Sequence, residues 1–526
     1  MPGHKRRMEP APGLPFSWDL TEVPGTDDLH DAQGILFEAM ERTARLCGAD
    51  RTWYLVNGST CGLLAGIRAL VHPGSEVICA RNCHKAVFHA LELAGCRVHW
   101  LMPPVDPDWG ICGSISAAMV GNAIQRHPNS EAVILTSPTY EGILSPVDEI
   151  CQICHKRGIP VLVDEAHGAH LIPCSEKSGF PKGALACGAD VVVQSPHKTL
   201  PSLTQTALLH IRGSLVDAGR IEEELDIFET SSPSYPLMAS LDGCTDILIR
   251  QGDALFEAWA ERIARFEFKV RDMRYLRVLN LFSAEKSFDS RLFFSCDPGK
   301  ILIDAGGAGL SGSGLARILR EKYGMETEMS EGSLVLAMTS VCDDEDALDR
   351  LAAALSEIDE KRTEQFADER KNLKEQKGGA ELPSDKRKNA KEQKTCAELP
   401  SDDRKNSKEQ KGGAAEGGGK SSSAKASDRA SASALRDLFY ELALCRPAAA
   451  STMAQARAQA WEEVPLWQAS GRVCAEYLYF YPPGIPFLAP GEIIGDKMLR
   501  LLLQARECGA VPFRKNSESG IRCIRE

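Results

Sequence analysis

The stretch VVVQSPHKTLPSLTQTALLH (residues 191–210) sends Lys198 out of a run of valines, with Ser195 and His197 beside it and small or hydroxylated residues after it. A charged amine near a core is costly unless it is paired or neutral. A neutral, desolvated lysine is a nucleophile toward carbonyl carbon. Alone, these residue types also describe a surface lysine at a strand end. In VLVDEAHGAH, Asp164 sits at the end of another apolar strand, upstream of Lys198. Alone, it also suits a cap for the next helix.

Together the two meet the demands of pyridoxal phosphate. That cofactor needs an amine to hold its aldehyde and a carboxylate to keep its pyridine nitrogen protonated, so that the ring accepts the electrons of a carbanion. VNGSTCGLLAGI adds a seat for an anion: a strand, then Gly58, Ser59 and Thr60 at the start of a helix rich in small residues. Ser195 and His197 are placed to complete a phosphate cup. His84, in ARNCHKAVFHAL, follows a further strand end. Its imidazole suits either stacking on a pyridine face or capping the helix behind it.

These residues need a scaffold that brings strand ends together. From about residue 50 to 215, short apolar strands alternate with helical patterns, predicting a mostly parallel, doubly wound α/β sheet. Ligands of such sheets bind just past the carboxyl ends of the strands. The segment 1–260 is assigned to this large domain and 261–357 to a smaller α/β domain. Composition then breaks: residues 370–420 hold three near-identical 17-residue units with 14 Lys/Arg against 9 Asp/Glu, leaving −17 on the rest of a chain whose net charge is −12. They offer almost no apolar face for a solenoid, and 358–433 is predicted to be a disordered linker. Helical periodicity resumes in ASALRDLFYELAL, and 434–526 forms a C-terminal domain.

The 526-residue length suggests two to four domains. The acidic balance argues against a general nucleic-acid binder, and no apolar run approaches the ~20 residues of a membrane span. The opening MPGHKRRMEPAPGLPFSW is basic without a following apolar run, unlike a secretory signal. The 18 cysteines are scattered through core-like segments, as expected of free thiols in a reducing cytoplasm. CQICH (151–155) matches the haem-attachment pattern, but its setting predicts a helix with Cys151 and Cys154 on the apolar face. No metal is expected.

The segments MPGHK, DLTEVPGTDDLH, LVNGST, ARNCHKAV, PTYEG, VDEAHGAH, SPHKTLPSLTQTALLH and TSSPSYPLMASLD resemble the Orn/Lys/Arg decarboxylase family. SGRVCAEYLYFYPPGIPFLAPGE resembles that family's C-terminal domain. The resemblance implies a fold-type-I pyridoxal phosphate enzyme that decarboxylates a basic amino acid to its amine in polyamine metabolism. It implies that Lys198 is the Schiff-base lysine, Asp164 the carboxylate at the pyridine nitrogen and His84 the stacking histidine. His167 stands close beside them, and Ser59, Thr60, Ser195 and His197 contact phosphate. The site is expected at a homodimer interface, with Ser231 and Ser232 serving the partner. Glu492 and Asp28 (or Asp27) are candidates for the substrate's basic end, and arginine is the favoured substrate. The chain opens at MPGHK, so the N-terminal wing domain of the large acid-stress members is expected to be missing. The repeats are foreign to the family pattern. A transaminase on the same fold and a catalytically silent regulatory homologue are the alternatives.

Overall fold

The structure, a computed structural model, describes residue 4 and residues 13–279, 291–378, 438, 440–479, 484–507 and 520–525. Strands β1 (Arg51–Leu55), β2 (Glu76–Ala80), β3 (Arg97–Leu101), β4 (Ser130–Thr136), β6 (Val161–Glu165), β7 (Val191–Gln194) and β8 (Ala207–Ile211) form a seven-stranded sheet in the order β1-β8-β7-β6-β4-β2-β3. The run from β3 through β2, β4 and β6 to β7 is parallel. Strand β8 pairs antiparallel with both neighbours, so the sheet is mixed at that end. Between β4 and β6 lies the two-residue β5 (Ile143–Leu144), paired with β10 (Ser295–Cys296).

Alternation along each strand divides the core in two. Ile78, Val133, Val163 and Val192 point into one apolar layer, while Val77, Ile134, Leu162 and Val193 point into the other. In the second layer, the helix Gly58–Leu70 lies directly on the sheet because two of its inward positions are glycine. A Cβ on Gly62 would fall 2.6 Å from Leu55 Cδ1, and one on Gly66 3.2 Å from Leu162 Cδ1. That close approach aims the helix N-terminus at the carboxyl edge of β7.

The smaller unit is a four-stranded antiparallel sheet, β12-β13-β11-β9, made of β9 (Arg277–Leu279), β11 (Lys300–Asp304), β12 (Met329–Glu331) and β13 (Leu334–Met338). The 36-residue helix Tyr235–Val270 joins it to the large sheet and buries Phe256, Trp259, Ile263 and Phe266. The boundary drawn at residue 260 therefore falls inside one helix. The boundary at 358 is also corrected. The helix Ala347–Gly378 runs through it, with Ile358 buried, and the Asp359 carboxylate accepts from the N–H groups of Arg274, Tyr275 and Leu276. Apolar spacing at Leu351, Ala354, Leu355 and Ile358 continues past the point where composition turns polar. The repeats from residue 379 on lie outside the described residues.

The C-terminal segment forms two hairpin-like pairs, β14 (Trp461–Pro465) with β17 (Gly520–Ile524) and β15 (Leu478–Tyr479) with β16 (Pro486–Leu488), packed with the helix Asp496–Glu507. It grips the helix Lys85–Leu93. Tyr477 OH donates to Glu92 at 2.5 Å, Arg457 pairs with Glu92 at 3.3 Å, and the Lys85 N–H donates to the Gly484 carbonyl. CQICH lies in the helix Val147–His155 with both thiols buried, and His155 bonds Asp190 at 2.8 Å. No described helix is long and apolar enough to cross a membrane.

Candidate active site

The carboxyl ends of β2, β4, β6 and β7 converge on a cavity of about 170 Å³. Ser59, Asn82, His84, Thr136, Asp164, His167 and Lys198 line it, joined by Tyr140 and Glu328 from loops and by Ile485 from the C-terminal segment. A second cavity of about 190 Å³, between the helices Ile35–Cys47 and Ala218–Phe228, has acidic groups but no lysine among its described lining residues.

Lys198 lies in a single turn, Pro196–Thr199, just past β7. Its Nζ is 3.0 Å from His167 Nε2. Burial pulls its proton affinity below that of a free lysine, opposed by the charges of Asp164 and Glu328. Asp164, 3% exposed at the end of β6, accepts from the Ala166 N–H. Burial pushes its affinity for a proton up, and Lys198 pulls it back.

His84 combines both expected roles: it caps the helix Lys85–Leu93, with Nδ1 accepting from the Ala86 N–H, and its ring lines the cavity. Burial, with the Lys198 charge behind it, lowers its pKa to about 4, so the ring is neutral. His197 donates Nδ1–H to the Thr206 carbonyl at 2.6 Å, which leaves Nε2 of the neutral ring an acceptor.

Lys300, the first residue of β11, was not among the expected residues. It is 1% exposed, and its Nζ lies 2.8 Å from His167 Nδ1. Burial lowers its pKa to about 8. His167 is thus held between two amines, and burial with both lysine charges drives its own pKa far down. A neutral imidazole has one N–H. It donates to one amine, which must then be uncharged, and accepts from the other. At most one of Lys198 and Lys300 carries a proton charge in this arrangement. Nothing in the sequence around GKILIDA marks Lys300, because it arrives from a different sheet.

Several orphan groups fit a phosphorylated pyridine. Ser195 is fully buried with an unpartnered Oγ, and Thr136 Oγ1 is buried without a partner on the cavity wall. The 13-residue helix Gly58–Leu70 begins at the cavity, and its N-cap Asn57 makes no side-chain cap bond. Free N-terminal amides beside an unpaired hydroxyl suit a phosphate. Gly58 takes φ +76, and Gln205 facing it φ +85, a tight left-handed turn on each side.

Six expected residues are placed elsewhere. Glu492 is 4% exposed, pairs with Arg81 at 3.2 Å and accepts from the Ala489 N–H, so it ties two domains together instead of facing substrate. Asp28 is exposed and accepts from the His30 N–H. Asp27 holds the N–H groups of Gly34 and Leu36 at the start of the helix Ile35–Cys47. Thr60 is exposed, and Ser231 and Ser232 are exposed away from this cavity. At the sheet edge, Glu76, His99 and His127 bring ligand-type atoms within 4.8 Å of one another, which their sequence spacing does not suggest.

Residues 14–347 match the model of the Orn/Lys/Arg decarboxylase major domain, and 432–511 match the C-terminal domain of the same family. The chain belongs to the Orn/Lys/Arg decarboxylase family. Membership makes it a pyridoxal-phosphate-dependent decarboxylase of a basic amino acid. It is 30% identical to an arginine decarboxylase of Halalkalibacterium halodurans and 29% identical to one of Bacillus subtilis, each alignment spanning 100% of this chain and 93% of the relative. Among solved structures, the constitutive lysine decarboxylase of Escherichia coli superposes with TM-score 0.71 at 21% identity, over 97% of this chain and 75% of that one. The lysine decarboxylase of Francisella novicida gives 0.73 at 20%, over 97% and 75%. At that identity the likeness is one of fold, shared with this Orn/Lys/Arg decarboxylase chain across both of its family domains.

Proposed function

We propose that this decarboxylase acts on arginine, releasing carbon dioxide and the corresponding amine for polyamine synthesis. The observation that carries the reading is the pairing of Lys198 and Asp164 at the ends of adjacent strands on one cavity, with two neutral histidines between and beside them. Arginine is favoured because likeness to arginine decarboxylases extends over the whole chain. Likeness to the Escherichia coli constitutive lysine decarboxylase covers 47% of it.

Bound pyridoxal phosphate supplies the electron sink for the carbanion left when carbon dioxide departs. Lys198 is the amine that would hold the cofactor aldehyde, and Asp164 would hold the proton on the ring nitrogen. His84, on the cavity wall, would cover a ring face. Ser59, Ser195 and the amides of the helix Gly58–Leu70 would seat the phosphate. His197 joins them only when its Nε2 is protonated. Whenever Lys198 is a free amine, His167 orients it and Lys300 sets its charge state from behind. After carbon dioxide leaves, the one proton the pair holds passes from Lys300 through His167 to Lys198 Nζ, which would deliver it to the α-carbon. None of the described residues lining the cavity is an arginine.

Ser231 and Ser232, exposed before the helix Tyr235–Val270, reach the partner subunit's site in a homodimer. A cytoplasmic setting accords with the cysteines, all free thiols among the described residues. The test is amine and carbon dioxide release from arginine, lysine and ornithine by the cofactor-loaded protein. A keto acid product, or no product from any of the three, overturns the reading.

A further inference from the structure

Beside the lysine cavity lies a second chamber of about 150 Å³, and Asn82 and Ile485 belong to the walls of both. Its floor is acidic. Glu141 follows Tyr140, whose ring stands edge-on to His167 at 4.9 Å. Glu331 ends β12, on the same segment as Glu328, which lines the lysine cavity and accepts from Tyr140 OH at 2.9 Å. Acidic groups thus run from the lysine cavity into the chamber.

Acidic clusters alone do not make a site. Asn82 supplies an independent sign: it is 7% exposed, and its Oδ1 is buried with no donor. A buried acceptor left bare costs about 1–3 kcal/mol. Glu141 and Glu331 repel one another, and burial pushes the Glu331 carboxyl up to about 8. The lining arginine, Arg81, is already committed to Glu492 and to the Pro486 carbonyl. Met102, Ile111 and Phe487 make much of the remaining wall. The chamber therefore offers acceptors and flat apolar surface, next to the reacting cavity. A guanidinium is the complement: donors only, planar and permanently charged.

We infer that this chamber seats the distal cation of the substrate, with Glu141 and Glu331 against its N–H groups and Asn82 Oδ1 taking one more. The inference rests on the proposed decarboxylation of a basic amino acid and names the residues that select it. It replaces Glu492 and Asp28 in that role.

The test uses the full chain loaded with pyridoxal phosphate. Glu331→Gln and Glu141→Gln, on different segments, are each isosteric, and circular dichroism checks the fold. Arginine binding is read by calorimetry and by the ligand-induced rise in melting temperature, and KM by amine release. Citrulline, arginine's uncharged analogue, is the control. Each variant should weaken arginine binding and raise KM at least tenfold, more than kcat falls, while leaving citrulline binding unchanged or tighter. A wild-type protein that decarboxylates arginine, with KM unchanged in both variants, overturns the seat and leaves the activity standing. Carboxylate-dependent arginine binding without any amine or carbon dioxide release supports the seat and sinks the activity instead. A wild-type protein that binds no basic amino acid sinks both.

Discussion

Asp164 and Glu165 are neighbours on β6, and both are almost fully buried, yet they face opposite sides of the sheet and live in opposite conditions. On the inner side, Glu165 accepts from the Ala184 N–H at 2.8 Å and from Gln194 Nε2 at 2.7 Å. Since the Gln194 amide nitrogen is the donor there, its oxygen must accept from His210 Nε2–H at 3.1 Å. His210 Nδ1 is then left to accept from Thr52 Oγ1 at 2.7 Å. Every partner in that row is assigned, and burial holds His210 neutral, near 3. On the cavity side, Asp164 faces an amine of lowered basicity, a histidine shared between two lysines, and hydroxyls without partners. Burial raises the proton affinity of both carboxylates. What separates a structural carboxylate from a working one here is therefore not its pKa but whether its neighbours are already satisfied.

Lys198→Ala breaks the comparison most severely. The cavity side should lose its cofactor-linked absorbance and measurable amine release, while the inner row and the melting temperature stay near wild type. Retained activity would place the reactive amine elsewhere. Asp164→Asn comes next. Cofactor should still bind, but turnover should fall by on the order of a hundredfold or more, ~2.7 kcal/mol of barrier, because an amide cannot hold the ring nitrogen protonated. Unchanged kcat would contradict its role.

Lys300→Met sharpens the contrast within the cavity. With the Lys300 amine near 8, turnover should decline as pH rises through that value and the amine loses its proton. The variant should be slower at pH 7 but flat from 7 to 9. A pH–rate profile and a pH titration of cofactor absorbance check this, and an unshifted alkaline limb would reduce Lys300 to packing.

The smallest effect belongs to the inner side. Glu165 has a folded pKa near 8 against about 4.5 unfolded. Between those values the folded state holds the extra proton, so this group's contribution to stability is full below 4.5 and is lost as pH rises toward 8. Glu165→Gln has no such proton. Its melting temperature relative to wild type should therefore climb across that window, with kcat little changed. A constant difference would mean that Glu165 is ionised throughout.

The strand-end residues were legible because a βα scaffold places chemistry at one edge, so Lys198, Asp164 and His84 could be read from what precedes them. Strand β8 was legible as a strand but not in direction, since the apolar pattern of TALLHIR is the same either way. Lys300, Glu141 and Glu331 were invisible for a different reason: each comes to the site from the small sheet or a loop, and local pattern carries no information about such meetings. Glu492 misled because a carboxylate in APGEI looks available until Arg81 is found against it. The helix Ala347–Gly378 outran its expected end because composition is averaged over a window, whereas one buried Ile358 is enough to hold another turn.

The grip of the C-terminal segment on the helix Lys85–Leu93 makes the edge of the cavity independent of the intervening peptide. Ile485 reaches the cavity, and Arg81, Lys85 and Glu92 hold that segment in place, all through folded contacts rather than through the peptide joining residue 378 to residue 438. Lengthening such a connection costs only ~0.6 kcal/mol per doubling. A change in the number of the 17-residue units therefore need not move the catalytic edge, whose geometry is secured by those contacts.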